Sequence, residues 1–252
     1  MKAMILAAGL GTRLKPWTLQ HPKALVPVGG VPMLERVINS LSDQGFSEIL
    51  INIHHFGEQI LDFLNRYQDK EKPEIKISDE RDELLDTGGG LLEASKILFS
   101  VDDTPFLVHN VDILSNADLS SLMDAHLRSG NDVTMLTSGR ESSRKLIFDD
   151  SHRLKGWHNL STGEFKPSEY VVAEKDHEAA FSGIYIIGKK AVDLLKIYSE
   201  KIEKKSFPIM NFFLSNIESL KIGEFYASDL KLIDIGKPAT LEKANKEFIN
   251  YF

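Results

Sequence analysis

Short apolar runs and amphipathic stretches take turns from Met1 to about Gly130, the pattern of repeated strand-helix-strand units around a parallel sheet. Four runs rich in β-branched or aromatic residues, at 3–7, 48–53, 74–78 and 106–109, predict strands. Between the first two, Met33, Leu34, Val37, Ile38 and Leu41 recur at helical spacing behind Pro32 and stop near Gly45, which predicts a covering helix over 32–41. Ile60, Leu61, Leu64 and Tyr67 repeat the stripe in the next crossover, and Leu91, Leu92, Ser95 and Leu98 repeat it less cleanly. After Gly130 the rhythm changes. Strand-like segments at 132–137, 145–148, 154–157 and 180–187, with the polar turn Asp149-Asp150-Ser151, predict a small antiparallel subregion with a hairpin. The charged segment 160–176 shows neither period and reads as a loop or lid over a site. Two helical stretches, a strand pair at 221–227 and 230–235, and an amphipathic helix over 238–249 close the chain. The expected architecture is α/β, a mixed and mainly parallel central sheet flanked by helices, within a single domain over 1–252.

Composition narrows the function. With 252 residues, 42% hydrophobic and 27% charged, the chain is of ordinary globular type and long enough to bury a core. It has no cysteine, which excludes disulfides, thiolate metal sites and Cys nucleophiles and suits a reducing cytoplasm. The net charge of −7, without a dense basic run, argues against a nucleic-acid partner, so anionic ligands must be met by local cations. No apolar stretch approaches the roughly 20 residues of a membrane helix. The opening MKAMILAAGLGTR runs into Gly and Arg without a long apolar region or cleavage site, as a buried strand does rather than a targeting signal. The chain is expected to be soluble, with no membrane partner, and no feature specifies an oligomeric state.

The candidate chemistry begins at Leu6-Ala7-Ala8-Gly9-Leu10-Gly11-Thr12-Arg13-Leu14, a glycine-rich turn directly after the first strand. Small residues there let backbone N–H groups approach an anion, although an ordinary strand-to-helix turn has the same composition. It is not a Walker loop, because no Gly-Lys-Ser/Thr follows, and Leu14 occupies the third glycine position of the dinucleotide fingerprint. Lys23, in His21-Pro22-Lys23-Ala24-Leu25-Val26-Pro27-Val28, sits on a proline-fixed extended path that carries a cation back toward the loop. An Arg fork and a Lys point charge beside one turn suit a polyphosphate, unless both are solvated surface charges. Asp86-Thr87-Gly88-Gly89-Gly90 precedes a helix and reads as a tight turn or as an approach for a base edge or an anion. Asp112, after the strand 106–109, and Asp234, in Leu232-Ile233-Asp234-Ile235-Gly236, are carboxylates at strand ends, where open α/β sheets present ligand groups. The eight histidines show no ligand spacing, and no GxSxG elbow is present.

The string LAAGLGTRLKPWT…PKALVPVGGVPMLE resembles the signature of the sugar-nucleotide pyrophosphorylases, nucleotidyltransferases that make nucleoside-diphosphate sugars, and similar islands run to the C-terminus. The resemblance implies a Rossmann-like, glycosyltransferase-A-like fold with a mainly nucleotide-binding half at 1–130 and a mainly sugar-binding half at 131–252. It implies that Ala7, Ala8, Gly9, Gly11 and Thr12 wrap the nucleotide, that Arg13 contacts its phosphates and Lys23 the charge formed in transfer, and that Thr87 and Gly88 meet the base. It also implies Mg²⁺ on Asp112 and Asp234, and a sugar side comprising Asn110, Ser182, Gly183 and Glu174. Val111 stands where most of the family has Gly, and the Glu174-Lys175 pair lacks the family's proline and spacing. The implied partners are a nucleoside triphosphate and a sugar 1-phosphate. Within the family the islands are most similar to N-acetylmuramate 1-phosphate uridylyltransferases, which points to UTP, with mannose, heptose or glucose phosphates and GTP, CTP or UTP as alternatives. A silent relative that binds sugar nucleotides and regulates a partner would be expected to lose an Asp or the basic pair, and all four residues are present.

Overall fold

The computed structural model describes residues 1–67 and 73–247. In chain order the first half comprises β1 (Lys2–Leu6), β2 (Pro27–Val28), β3 (Val31–Pro32), α1 (Met33–Asp43), β4 (Glu48–Ile53), α2 (Gly57–Tyr67), β5 (Glu74–Asp79), α3 (Asp86–Leu98), β6 (Phe106–Asn110), β7 (Ile113–Ser115) and α4 (Leu119–Ser129). The second half comprises β8 (Val133–Ser138), β9 (Arg144–Phe148), β10 (Leu154–Asn159), β11 (Glu164–Lys166), β12 (His177–Ile187), α5 (Lys189–Lys201), α6 (Ile209–Ser215), β13 (Ile222–Tyr226), β14 (Leu232–Asp234) and α7 (Pro238–Glu247).

Period-two alternation along the central strands sends apolar side chains to both faces of the sheet, and helices cover both. Ala3, Ile5, Ile49, Ile51, Ile53 and Leu107 join one core cluster with α1, α2 and α4 residues. Met4, Leu50, Phe106 and Val108 join the other, with α3, α5 and α6 residues. Each fully buried Ile or Leu contributes roughly 1.5–3 kcal/mol, so this double-sided burial is what holds the parallel strands together. β5, β4, β1 and β6 lie side by side in parallel register, β8 and β13 form a further parallel pair, and β12 joins β6, β8 and β9 antiparallel. The antiparallel subregion is the β9–β10 hairpin extended by β11.

Three expectations change. Segments 221–227 and 230–235 form strands but do not pair with each other: β13 adds to β8 in parallel, and β14 pairs antiparallel with β7. Segment 160–176 carries β11 instead of being loop throughout, because the β10 edge offers free backbone groups that Glu164, Phe165 and Lys166 take up. The Gly88-Gly89-Gly90 triplet lies inside the first turns of α3 rather than before it. The expected helix over 238–249 is present through Glu247, and its last two residues lie outside the described residues.

Candidate active site

The parallel register aligns the C-terminal ends of three strands, with Leu6 between Asn52 of β4 and Asn110 of β6. Just beyond them opens a cleft of about 480 Å³ whose lining includes Ala7, Ala8, Gly9, Gly11, Thr12, Arg13, Lys23, Thr87, Asn110 and Asp112. Gly11 takes a left-handed φ of 62°, and a Cβ there would lie 2.7 Å from the Thr18 methyl and 3.0 Å from Lys23 Cβ. Glycine at this position is therefore what lets Lys23 pack under the loop.

A small third core explains how residues remote in sequence meet. Val26 and Val28, Leu114, and Ile235 are buried together with Met33 and Ala244. Val26 and Val28 follow Lys23, Leu114 follows Asp112, and Ile235 follows Asp234, each by five positions or fewer. The Lys23 ammonium donates to Asp112 Oδ2. The β7–β14 pairing, extended by the Ile235 N–H donating to the Asp112 carbonyl at 2.8 Å, sets Asp234 alongside. A Cβ on Gly236 would lie 2.7 Å from Asp234 Oδ1 and 2.8 Å from Arg13 Nη2, so the carboxylate and the guanidinium crowd the same glycine. Partial loss of water and then the neighbouring Asp112 raise the Asp234 carboxyl above the usual carboxylate range, while Lys23, Arg13 and Arg140 pull it down. Two oxygen-only carboxylates in mutual repulsion, one of them already carrying a cationic group, form a donor set that fits a hard divalent ion such as Mg²⁺.

The remaining predicted residues fall in different places. Gly183, with φ 79°, sits at the register break of β12, and a Cβ there would lie 2.7 Å from Asn110 Nδ2, which brings these two residues together. Ser182 is buried and its hydroxyl accepts the Ile184 N–H at 3.1 Å. Glu174 is exposed in the turn before β12, where its neighbour Lys175 faces Asp150 at 3.7 Å. Thr87 lines the cleft and its hydroxyl also accepts the Ile209 N–H at 2.9 Å. Gly88 is not part of the lining: its N–H donates to the Phe207 carbonyl at 2.8 Å, and a Cβ would meet the Phe207 ring at 2.4 Å.

Sequence reasoning missed three residues. Asn52 lines the cleft, accepts the Ala7 N–H at 2.7 Å and donates to Glu80 Oε1 at 2.8 Å. Glu80 is buried, which pushes its carboxyl up. Arg140 donates to the Phe181 carbonyl at 2.8 Å; burial pushes its guanidinium down, and Asp234 opposes that shift. The available signals were an Asn at the end of an otherwise apolar strand and an Arg two residues beyond a strand.

Comparison with known proteins bears on the fold and the family of the chain. The chain is 32% identical over 240 residues to a mannose-1-phosphate guanyltransferase of Yarrowia lipolytica, covering 94% of this chain and 61% of that protein. The chain thus spans about three-fifths of the length of the curated relatives it matches. The structure of HddC from Yersinia pseudotuberculosis complexed with GMP-PN superposes with a TM-score of 0.75 at 24% identity, covering 98% of this chain and 99% of that one. A putative glucose-1-phosphate thymidylyltransferase from Bacillus anthracis does so with a TM-score of 0.80 at 18% identity, covering 100% and 96%. These likenesses bear out the α/β fold. The expected similarity to N-acetylmuramate uridylyltransferases is corrected, since the curated relatives bear the mannose-1-phosphate guanyltransferase name. A family model described as nucleotidyl transferase matches residues 2–250, and the chain belongs to that family.

Proposed function

We propose that this protein transfers a nucleoside monophosphate from a nucleoside triphosphate to a sugar 1-phosphate. The observation that carries the reading is the cation on Asp112, with Asp234 alongside, at the end of a glycine-lined cleft. A phosphate oxygen of the sugar 1-phosphate attacks the α-phosphorus, a new P–O bond forms, and the bond to the β-phosphate oxygen breaks as pyrophosphate leaves. The attacking group is already ionised near neutrality, so no general base is required, and catalysis rests on placement and charge neutralisation.

Backbone N–H groups of residues 7–12 would cradle the triphosphate, Arg13 would hold its β and γ phosphates, and Lys23 would meet the charge developing at the α-phosphate. Asp112 and Asp234 would hold Mg²⁺, which when bound neutralises phosphate charge. Thr87, in the cleft wall, would meet the base, whereas Gly88 would act by letting α3 approach Phe207. Asn110 and Gly183 form the sugar-side contact, Ser182 shapes the strand beneath them, and Glu174 would reach the sugar only from an exposed turn. Residues 1–130 thus provide mainly the nucleotide side and 131–252 mainly the sugar side. Among the described residues no helix is long and apolar enough to cross a membrane, and a cysteine-free chain suits a cytoplasmic reaction.

For substrates we favour GTP with mannose 1-phosphate, which the names of the curated relatives support, over UTP with N-acetylmuramate 1-phosphate. The test is pyrophosphate release with Mg²⁺ across a panel of triphosphates and sugar 1-phosphates. GTP with mannose 1-phosphate should give the highest kcat/KM. Asp112→Ala should abolish turnover without changing the melting temperature, and Lys23→Ala should lower kcat by roughly 10²–10³-fold. Full activity in Asp112→Ala would overturn the assignment.

A further inference from the structure

Away from the cleft, the tip of the β9–β10 hairpin, the start of β12 and the middle of β13 bring two imidazoles and a carboxylate together. We propose that His152, His177 and Glu224 form a binding site for a transition-metal ion of the Zn²⁺ class, with a fourth position open to solvent. Their ligand atoms all lie within 4.8 Å of one another, and none of the three residues lines the cleft. His152 Nδ1 and His177 Nε2 face the same oxygen, Glu224 Oε2, at 2.9 and 2.7 Å.

The surroundings resemble those of a ligand set more than those of a chance contact. Glu224 has a side chain with 0% exposure, and its other oxygen accepts the hydroxyl of fully buried Thr137 at 2.5 Å, which holds the carboxylate plane. Orientation of a ligating carboxylate by such an outer partner is a recurring requirement of metal sites. The hairpin tip is pinned as well: the Glu224 N–H donates to the His152 carbonyl at 3.1 Å, and Arg153 bridges Gly223 across the backbone and donates to Asn131 at 2.6 Å. The His177 ring stacks on Phe148 at 5.8 Å between centroids and meets His152 edge-on at 5.4 Å.

Two imidazoles and one carboxylate form a three-ligand set that zinc accepts while keeping an open position, and imidazole suits zinc where an all-oxygen set suits magnesium. Tetrahedral zinc with bonds of about 2.0–2.1 Å separates neighbouring ligand atoms by about 3.3 Å. The present N···O separations must therefore open by a few tenths of an ångström. The His152 side chain, 62% exposed at the hairpin tip, has room to move that far. The chain would then carry two metal sites sorted by donor chemistry, oxygen at Asp112 and Asp234 and mixed nitrogen and oxygen here. The second would act as a clip across three segments of the sugar-side half.

The experiment is calorimetric titration of the chelator-treated full chain with ZnCl₂, with Co²⁺ absorption as a readout of tetrahedral geometry. Wild type and Asp112→Ala should each bind an equivalent of Zn²⁺ at this site, with a rise in melting temperature. His152→Ala, at an exposed tip whose loss the fold tolerates, should weaken that binding by more than the roughly 10–100-fold expected of Thr137→Val, which removes only an outer partner. Melting curves without metal verify that both variants fold. Absence of Zn²⁺ binding by wild type, or equal affinity in wild type and His152→Ala, overturns the proposal. Loss in Asp112→Ala with retention in His152→Ala would assign the zinc to the cleft and overturn it as well.

Discussion

Asn52 shows how one side chain couples the glycine-rich loop to the sheet. Its carbonyl oxygen accepts the Ala7 N–H and its amide N–H donates to Glu80 Oε1, so both ends are committed in a buried setting. Asn52→Ala orphans the Ala7 N–H and a Glu80 oxygen together. Leaving a buried polar group without a partner costs about 1–3 kcal/mol, part of which falls on the loop's ability to meet a ligand. The expected outcome in steady-state kinetics is a KM for the triphosphate raised by roughly tenfold, where each 1.4 kcal/mol is a factor of ten, with a smaller effect on kcat. An unchanged KM would show that the loop holds its shape without this bond. Sequence reading singled out both aspartates because carboxylates at strand ends have few structural uses, and Lys23 because the prolines around it direct a cation back toward the glycine loop. It passed over Asn52 because one amide in EILINI resembles a strand residue, and Glu80 lies 28 positions away.

Among elements, α3 departs furthest from local propensity. Three consecutive glycines disfavour a helix by roughly 1 kcal/mol each relative to alanine, yet residues 88–90 are helical because neighbouring chain leaves no room for side chains. A Cβ on Gly89 would lie 1.9 Å from the Lys205 carbonyl oxygen, and one on Gly90 would lie 2.7 Å from Glu80 Oε1. Gly89→Ala should therefore destabilise the protein despite its better helix propensity. The expected loss is about 1–3 kcal/mol, or several degrees in calorimetric melting at roughly 2–4 °C per kcal/mol for a chain of this size class. A variant melting at or above wild type would refute the steric account. Strands and covering helices were legible because hydrophobic period is a local signal. The glycine triplet and the β14 partner were not, since both are decided by what packs against them from the distant segments 205–207 and 113–115.

For the whole molecule, buried imidazoles tie stability to pH. His126, in α4 and buried against Thr134, is held down to about 4 by loss of water, with Asp132 opposing the shift. An unfolded histidine titrates near 6.5, so between those values the unfolded chain binds the extra proton. This contribution is complete above about pH 6.5 and declines as pH falls toward about 4. Denaturant melts across that window should show His126→Gln losing less stability on acidification than wild type; parallel curves would remove His126 from the account.

The β7–β14 ribbon has a further consequence for how the protein comes into being. Asn116, just after β7, donates its N–H to the carbonyl of Lys231, just before β14, and accepts the Lys231 N–H on its side chain; the two are 115 residues apart. A chain leaving the ribosome completes the glycine loop, Lys23 and Asp112 long before Asp234 exists. Among the described residues, the Lys23 ammonium is the basic group that donates to the Asp112 carboxylate. Contacts of such long sequence separation carry a large loop-closure cost, so the carboxylate pair is complete only once the ribbon has closed. Competence for the proposed transfer would then wait on the closing of this ribbon.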